Sequence, residues 1–274
     1  MMLWFDDGGT TPPVEPQLNL SGTAGNDHIV LQIYANGQIV ASSRKFHVSK
    51  FTTIVNVTAN AGDDTIIIQV ESGAHGLINI DGGGGNDSIV TDTSNPDFPG
   101  GMAVEEIFGG DGNDTLLGGG IRDSIAGGAG NDFLRGGGGS DVIDGGAGSD
   151  ALWGDAGNDH IYGGDNPDRI RGGKGNDVLH GGGGRDILAG EAGDDSIYGD
   201  NGADSIYPGA GANIIDARSD DYIDDGGVIK AGLGTLRLTN SSNWTGNTTV
   251  SGDILKLDKN DNKSVISSSE VVET

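Results

Sequence analysis

From Gly109 to Asp216 the chain repeats one nine-residue phrase twelve times without a gap, as in GGAGNDFLR, GGGGSDVID and GGAGSDALW at 127–153. Position one is Gly in every copy except the last, where Pro208 stands. Position six is Asp until Asn213 in the last copy, and position eight is Leu or Ile throughout. Strict self-similarity at a short period is the signature of a stacked repeat architecture. Six residues of the type Gly-Gly-x-Gly-x-Asp cannot continue a helix, because glycine recurs every two or three residues. They suit a tight turn that needs positive φ and close backbone approach. The three that remain make one short strand whose middle side chain points inward. Two phrases then close one coil, with a strand on each side and a glycine loop at each end, and phrases two apart lie on the same side.

This reading has to contend with composition. With 53 Gly and a formal net charge of -26 in 274 residues, the chain has the profile of a disordered polymer, but such a polymer would not hold a period. The interior is thin, two facing columns of Leu and Ile. Apolar burial at about 25 cal/mol per Å² does not offset a backbone entropy of roughly 1–2 kcal/mol per residue there, so something else must hold the loops. The aspartates are in register to do it. Asp114, Asp132, Asp150, Asp168, Asp186 and Asp204 form one column, and Asp123, Asp141, Asp159, Asp177 and Asp195 the other. Carboxylates about 5 Å apart repel strongly unless a cation sits between them. Carboxylate and loop carbonyl oxygens, with no nitrogen or sulfur, make a hard-cation site of the kind that favours Ca2+ over Mg2+.

The absence of Cys excludes a disulfide framework and a thiolate metal site. The acidity argues against nucleic acid or an anionic membrane as partner. MMLWFDDGGTTPPVEP has neither a basic n-region nor an apolar h-region, so it is not a secretory signal peptide. The expectation is export by another signal, or a mature form or fragment. No stretch approaches the roughly 20 apolar residues of a membrane helix.

Four segments are expected. Residues 1–20 are a polar tail with Pro12, Pro13 and Pro16. Residues 21–107 carry the phrase more loosely, as GTAGNDHIV at 22, NAGDDTII at 60 and GGGGNDSIV at 82; a hairpin about Asn36-Gly37 interrupts these degenerate rungs. Residues 108–224 are the contiguous repeat, which frays at ARSDDYIDDGG, and residues 225–274 are a tail rich in Thr, Leu, Val and Asn.

The phrase resembles the RTX (repeats-in-toxin, hemolysin-type) calcium-binding nonapeptides, Gly-Gly-x-Gly-x-Asp-x-U-x with U a large apolar residue. The resemblance implies an all-β, right-handed parallel β-roll with Ca2+ between the glycine-rich loops. It implies that the sixth-position aspartates of both columns, and Asp87, chelate the ions with loop carbonyls; about 8 to 10 ions are expected at saturation. Ile121 and Asn166 depart from the fourth-position Gly, and Pro167 stiffens its loop, so weaker sites are expected there. Asn213 lacks the charge, and the column is expected to end near it. The tail GLGTLRLTNSSNWTGNTTVSGDILKL, with Trp244, is similar to a passenger-associated repeat of autotransporters, read here as a β-helical cap.

Family relatives are exported unfolded through type I secretion channels, which implies a bacterial-type extracellular protein, secreted or at the cell surface, that folds on meeting calcium. There is no His-Glu-x-x-His or Gly-x-Ser-x-Gly motif, and the expectation is a non-enzymatic structural or adhesive surface or matrix module. The alternatives are an accessory module of a polysaccharide-modifying enzyme, or a self-assembling fibre or surface-layer subunit. The five histidines, His28, His47, His75, His160 and His180, have no metal-pair spacing. Two outward stripes stand out at position nine: Arg135, Trp153 and Arg171 on one face, and Tyr162, His180 and Tyr198 on the other. They could dock an acidic polysaccharide or a protein, or simply brace neighbouring coils.

Overall fold

The computed structural model describes residues 17–33, 38–41, 44–47, 53–70, 76–92, 105–211, 213–217, 222–223, 235–239, 255–258 and 265–266. Among these there is no helix, and the chain divides into two compact units, Met1–Val142 and Ile143–Thr274.

In the first unit the chain alternates between two parallel sheets. One contains Gln17–Ser21, Thr53–Thr58, Gly76–Gly84, Glu105–Asp111 and Asp123–Ala129, in that spatial order. The other contains His28–Ile33, Thr65–Val70, Ser88–Asp92, Thr115–Leu117 and Phe133–Gly138. The expected hairpin is present: Gln38–Ala41 runs antiparallel to His28–Ile33, and Arg44–His47 adds a further antiparallel strand. Asn36-Gly37 lies outside the described residues.

Equivalent residues of successive coils are 37, then 23, then 27 residues apart before settling at 18. All the surplus falls on the way from the second sheet back to the first, between Val30 and Val55, Ile67 and Ile78, and Val90 and Glu105, the positions that Leu117 and Asp123 take in the regular coil. The loops that lead from the first sheet to the second, at 22–27, 59–64, 82–87 and 109–114, keep the length of the phrase. The two loop edges of this unit are therefore unequal, and the first edge is regular from its start.

Two expected boundaries sit differently. Gln17–Ser21 is a strand inside the segment read as a tail, because Leu18 and Leu20 alternate into the core with Asn19 outward. Glu105–Asp111 pairs with Gly76–Gly84 on one side and Asp123–Ala129 on the other, so the change of composition near 108 marks the end of the insertions.

In the second unit, His160–Asp165, Val178–Gly184, Ser196–Tyr198, Ile214–Ala217, Thr235–Thr239 and Leu255–Asp258 are parallel neighbours in one sheet. Ala151–Ala156, Arg169–Lys174, Ile187–Ala192, Ser205–Tyr207 and Tyr222–Ile223 form the other. The segment likened to an autotransporter repeat thus supplies two parallel strands, and Trp244 lies outside the described residues. In each unit the eighth-position side chains make the core, from Leu116, Ile125 and Leu134 to Ile161, Ile170 and Leu179, all but fully buried. One apolar side chain per nine residues leaves most of each loop to be held by polar contacts.

Candidate calcium-binding loops

The loop conformation follows from glycine. Gly112, at position four, has φ +134, and a Cβ there would collide with the backbone of Gly85 in the coil before it. Consecutive coils can approach this closely only without side chains at such points. Asn166 at the same position also has a positive φ, 76, short of the +121 to +156 of the position-four glycines in the run.

The sixth-position aspartates form ladders. On the first edge the N–H of Asp27 donates to Oδ1 of Asp64 at 2.6 Å, and those of Asp64, Asp87 and Asp114 donate to Oδ1 of Asp87, Asp114 and Asp132 at 2.8 Å. In the second unit Asp150, Asp168 and Asp186 donate in the same way to Asp168, Asp186 and Asp204. On the second edge Asp123 donates to Asp141, and separately Asp159, Asp177 and Asp195 donate to Asp177, Asp195 and Asn213. The fifth-position residues run the opposite way: Asn113 N–H donates back to Asn86, and Asn131 N–H to Asn113. The loop at 109–114 is thus tied to both neighbours.

All twelve aspartates expected to be ligands, from Asp87 to Asp204, are at most 3% exposed. Asp64, at 2%, occupies the same place and was missed. Its phrase has Ala59 and Asn60 where the repeat has glycines, which masked the aspartate five residues on. Ala59 puts a methyl group at position one, where the other loops of that edge have glycine.

One carboxylate oxygen of each rung is spent on the ladder; the other is the chemical problem. Oδ2 of Asp64, Asp87, Asp114, Asp168 and Asp177 is buried and accepts no hydrogen bond, a costly arrangement for a charged oxygen. These oxygens face a cradle. A Cβ on Gly82 would lie 2.5 Å from Asp87 Oδ2 and 2.6 Å from the carbonyl oxygen of Gly109 in the next coil. The same pair recurs at Gly181, with Asp186 Oδ2 and the Gly199 carbonyl both at 2.6 Å. Among the described residues no three of His, Cys, Asp and Glu converge, so a cation takes its ligands from carboxylates spaced one to a loop and from backbone carbonyls. An all-oxygen shell of this kind fits Ca2+.

Burial pushes the Asp168 carboxyl up to about 7 and that of Asp87 up to about 6; neighbouring carboxylates add to the rise and a backbone N–H opposes it. Asp114 and Asp177 are raised for the same leading reason. A carboxyl raised in the folded state stabilises the fold below its unfolded value of about 3.9, and that stability is lost as pH rises through the folded value. Without calcium, acidification from about pH 8 to pH 5 is therefore expected to increase β-structure by far-UV circular dichroism. About 0.5 M NaCl should not abolish the gain, because salt screens surface repulsion and leaves burial untouched. A flat signal across that window would contradict the assignment.

The outward stripe of the second unit is a ring stack. Tyr162 and His180 lie 5.2 Å apart at 10°, His180 and Tyr198 4.5 Å apart at 5°, and His180 Nδ1 lies 3.0 Å from Asp200 Oδ2. The facing ring surfaces are used against one another, which braces three coils and leaves mainly ring edges to a ligand. On the other face Trp153 and Arg171 are opposed in register, and Arg171 lies 3.6 Å from Glu191. Arg135 belongs to the first unit. No helix among the described residues is long and apolar enough to cross a membrane.

The family model for the RTX calcium-binding nonapeptide repeat matches residues 79–95, 100–134, 117–152, 153–188 and 180–215. No curated protein sequence matches the chain. Residues 79–95 and 100–215 carry the RTX calcium-binding nonapeptide repeat, and this part of the chain is a calcium-binding β-roll for multiple Ca2+ ions.

Proposed function

We propose that the protein is a non-catalytic extracellular module, structural or adhesive, whose fold is switched on by calcium outside the cell. The observation that carries this reading is the buried second oxygen of the ladder aspartates, which has no hydrogen-bond partner at Asp87, Asp114, Asp168 and Asp177. A chain of net charge -26 stays expanded while these carboxylates are bare, and closes when a cation joins them to the loop carbonyls. We assign the ligand role to the aspartates from Asp87 to Asp204. A chain that folds only at extracellular calcium suits export in the unfolded state, and then a role as a spacer or contact surface in a matrix.

Limited proteolysis tests the switch. In chelator the chain should be cut throughout; at about 1 mM Ca2+, in the range of weak extracellular modules, a fragment containing the repeat run should persist. Equal digestion in both conditions would remove this reading.

A further inference from the structure

The ladders end differently from the way they run. In their interior, the second oxygens of Asp64, Asp87, Asp114, Asp168 and Asp177 are left without a hydrogen bond. At two described ends the sixth-position side chain is closed by its own loop. Asp27, first on the first edge, accepts on Oδ2 the N–H of Thr23 at 2.5 Å and the Thr23 hydroxyl at 3.1 Å, the donor being the second residue of the same phrase. Asn213, the last described rung of the second edge, donates Nδ2 to the Pro208 carbonyl at 3.0 Å.

Asn213 is the more telling of the two. Its Oδ1 still accepts the Asp195 N–H at 2.9 Å, as the interior aspartates accept theirs. The amide therefore keeps the rung and presents a donor where an aspartate would present a second oxygen. The Pro208 carbonyl that receives it also borders the cradle of the preceding loop: a Cβ on Gly190 would lie 2.5 Å from both that oxygen and Asp195 Oδ2.

We propose that Asp27 and Asn213 are metal-independent end caps, in which a hydrogen bond within the loop itself takes the place of a cation. The number of ions is then set by the interior rungs, and the terminal loops keep their shape without one. This rests on the calcium-binding role assigned to the interior aspartates.

The test counts Ca2+ per full-length chain by equilibrium dialysis at saturation, with far-UV circular dichroism to confirm folding. Asn213→Asp removes the donor and is expected to bind one more ion than the wild type. Asp177→Asn turns an interior rung into a cap and is expected to bind one fewer while remaining β-folded. An unchanged count in either variant, or a variant that stays a coil at saturating calcium, overturns the caps. A wild type that takes up no calcium would instead overturn the function proposed above, so the two failures are told apart.

Discussion

Titrating calcium into the chelated chain is expected to carry its far-UV circular dichroism from coil to β over a narrow concentration range, with magnesium unable to do so. The magnitude follows from linkage. A site at ten times its Kd stabilises the folded state by roughly 1.4 kcal/mol, and about 8 to 10 sites together contribute roughly 11–14 kcal/mol. That is the size of a whole domain's stability, about 5–15 kcal/mol. The core, at one buried Leu or Ile per phrase, has little to set against it. With ions between successive rungs of a ladder, filling one gap orders one of the two loops that border the next, and the transition is steep. Magnesium prefers near-ideal octahedral geometry and sheds water reluctantly, which suits it poorly to a shell of loop carbonyls. A chain already fully β-folded in chelator would show that the hydrogen-bonded ladders suffice alone.

Much of this was legible because the repeat converts sequence period directly into place. Every sixth-position Asp from Asp114 to Asp204 is buried, within each unit aspartates two phrases apart are bonded in ladders, and the eighth-position residues line the core. The inner structure of the first unit was less legible. Its phrases at 22, 60 and 82 are unevenly spaced, and spacing alone does not say which loop edge absorbs the surplus; strand pairing does. Asp64 was hidden by the substitutions at Ala59 and Asn60. The caps were beyond reach for another reason. Asp27 has the same residue type as the interior rungs, and only the direction of Oδ2, toward Thr23, separates it. The stripe Tyr162, His180, Tyr198 was read correctly as a stripe, but whether ring faces meet a ligand or one another depends on ring orientation, which no spacing encodes.

Gly175→Ala and Gly183→Ala should differ by several kcal/mol although they alter the same residue type one coil apart or less. Gly175 stands at position four with φ +121, and a Cβ there would overlap the backbone carbonyl of Gly157. Neither atom is the end of a flexible side chain, so relief requires two coils to part, and the Gly175 N–H bond to the Ala192 carbonyl at 2.9 Å would be disturbed with them. Backbone strain and overpacking together cost about 2–6 kcal/mol. Gly183, at position three, lies in ordinary extended space. The nearest atom to its added Cβ would be Asp165 Oδ1 at 3.8 Å, and the change should cost under about 1 kcal/mol, with a small gain from the lower entropy of the unfolded chain. Urea unfolding at saturating calcium measures both. A difference below about 1 kcal/mol would mean that the loops have more room than the close stacking of coils implies. The glycine would then be serving chain flexibility before folding, rather than the approach of one loop to the next.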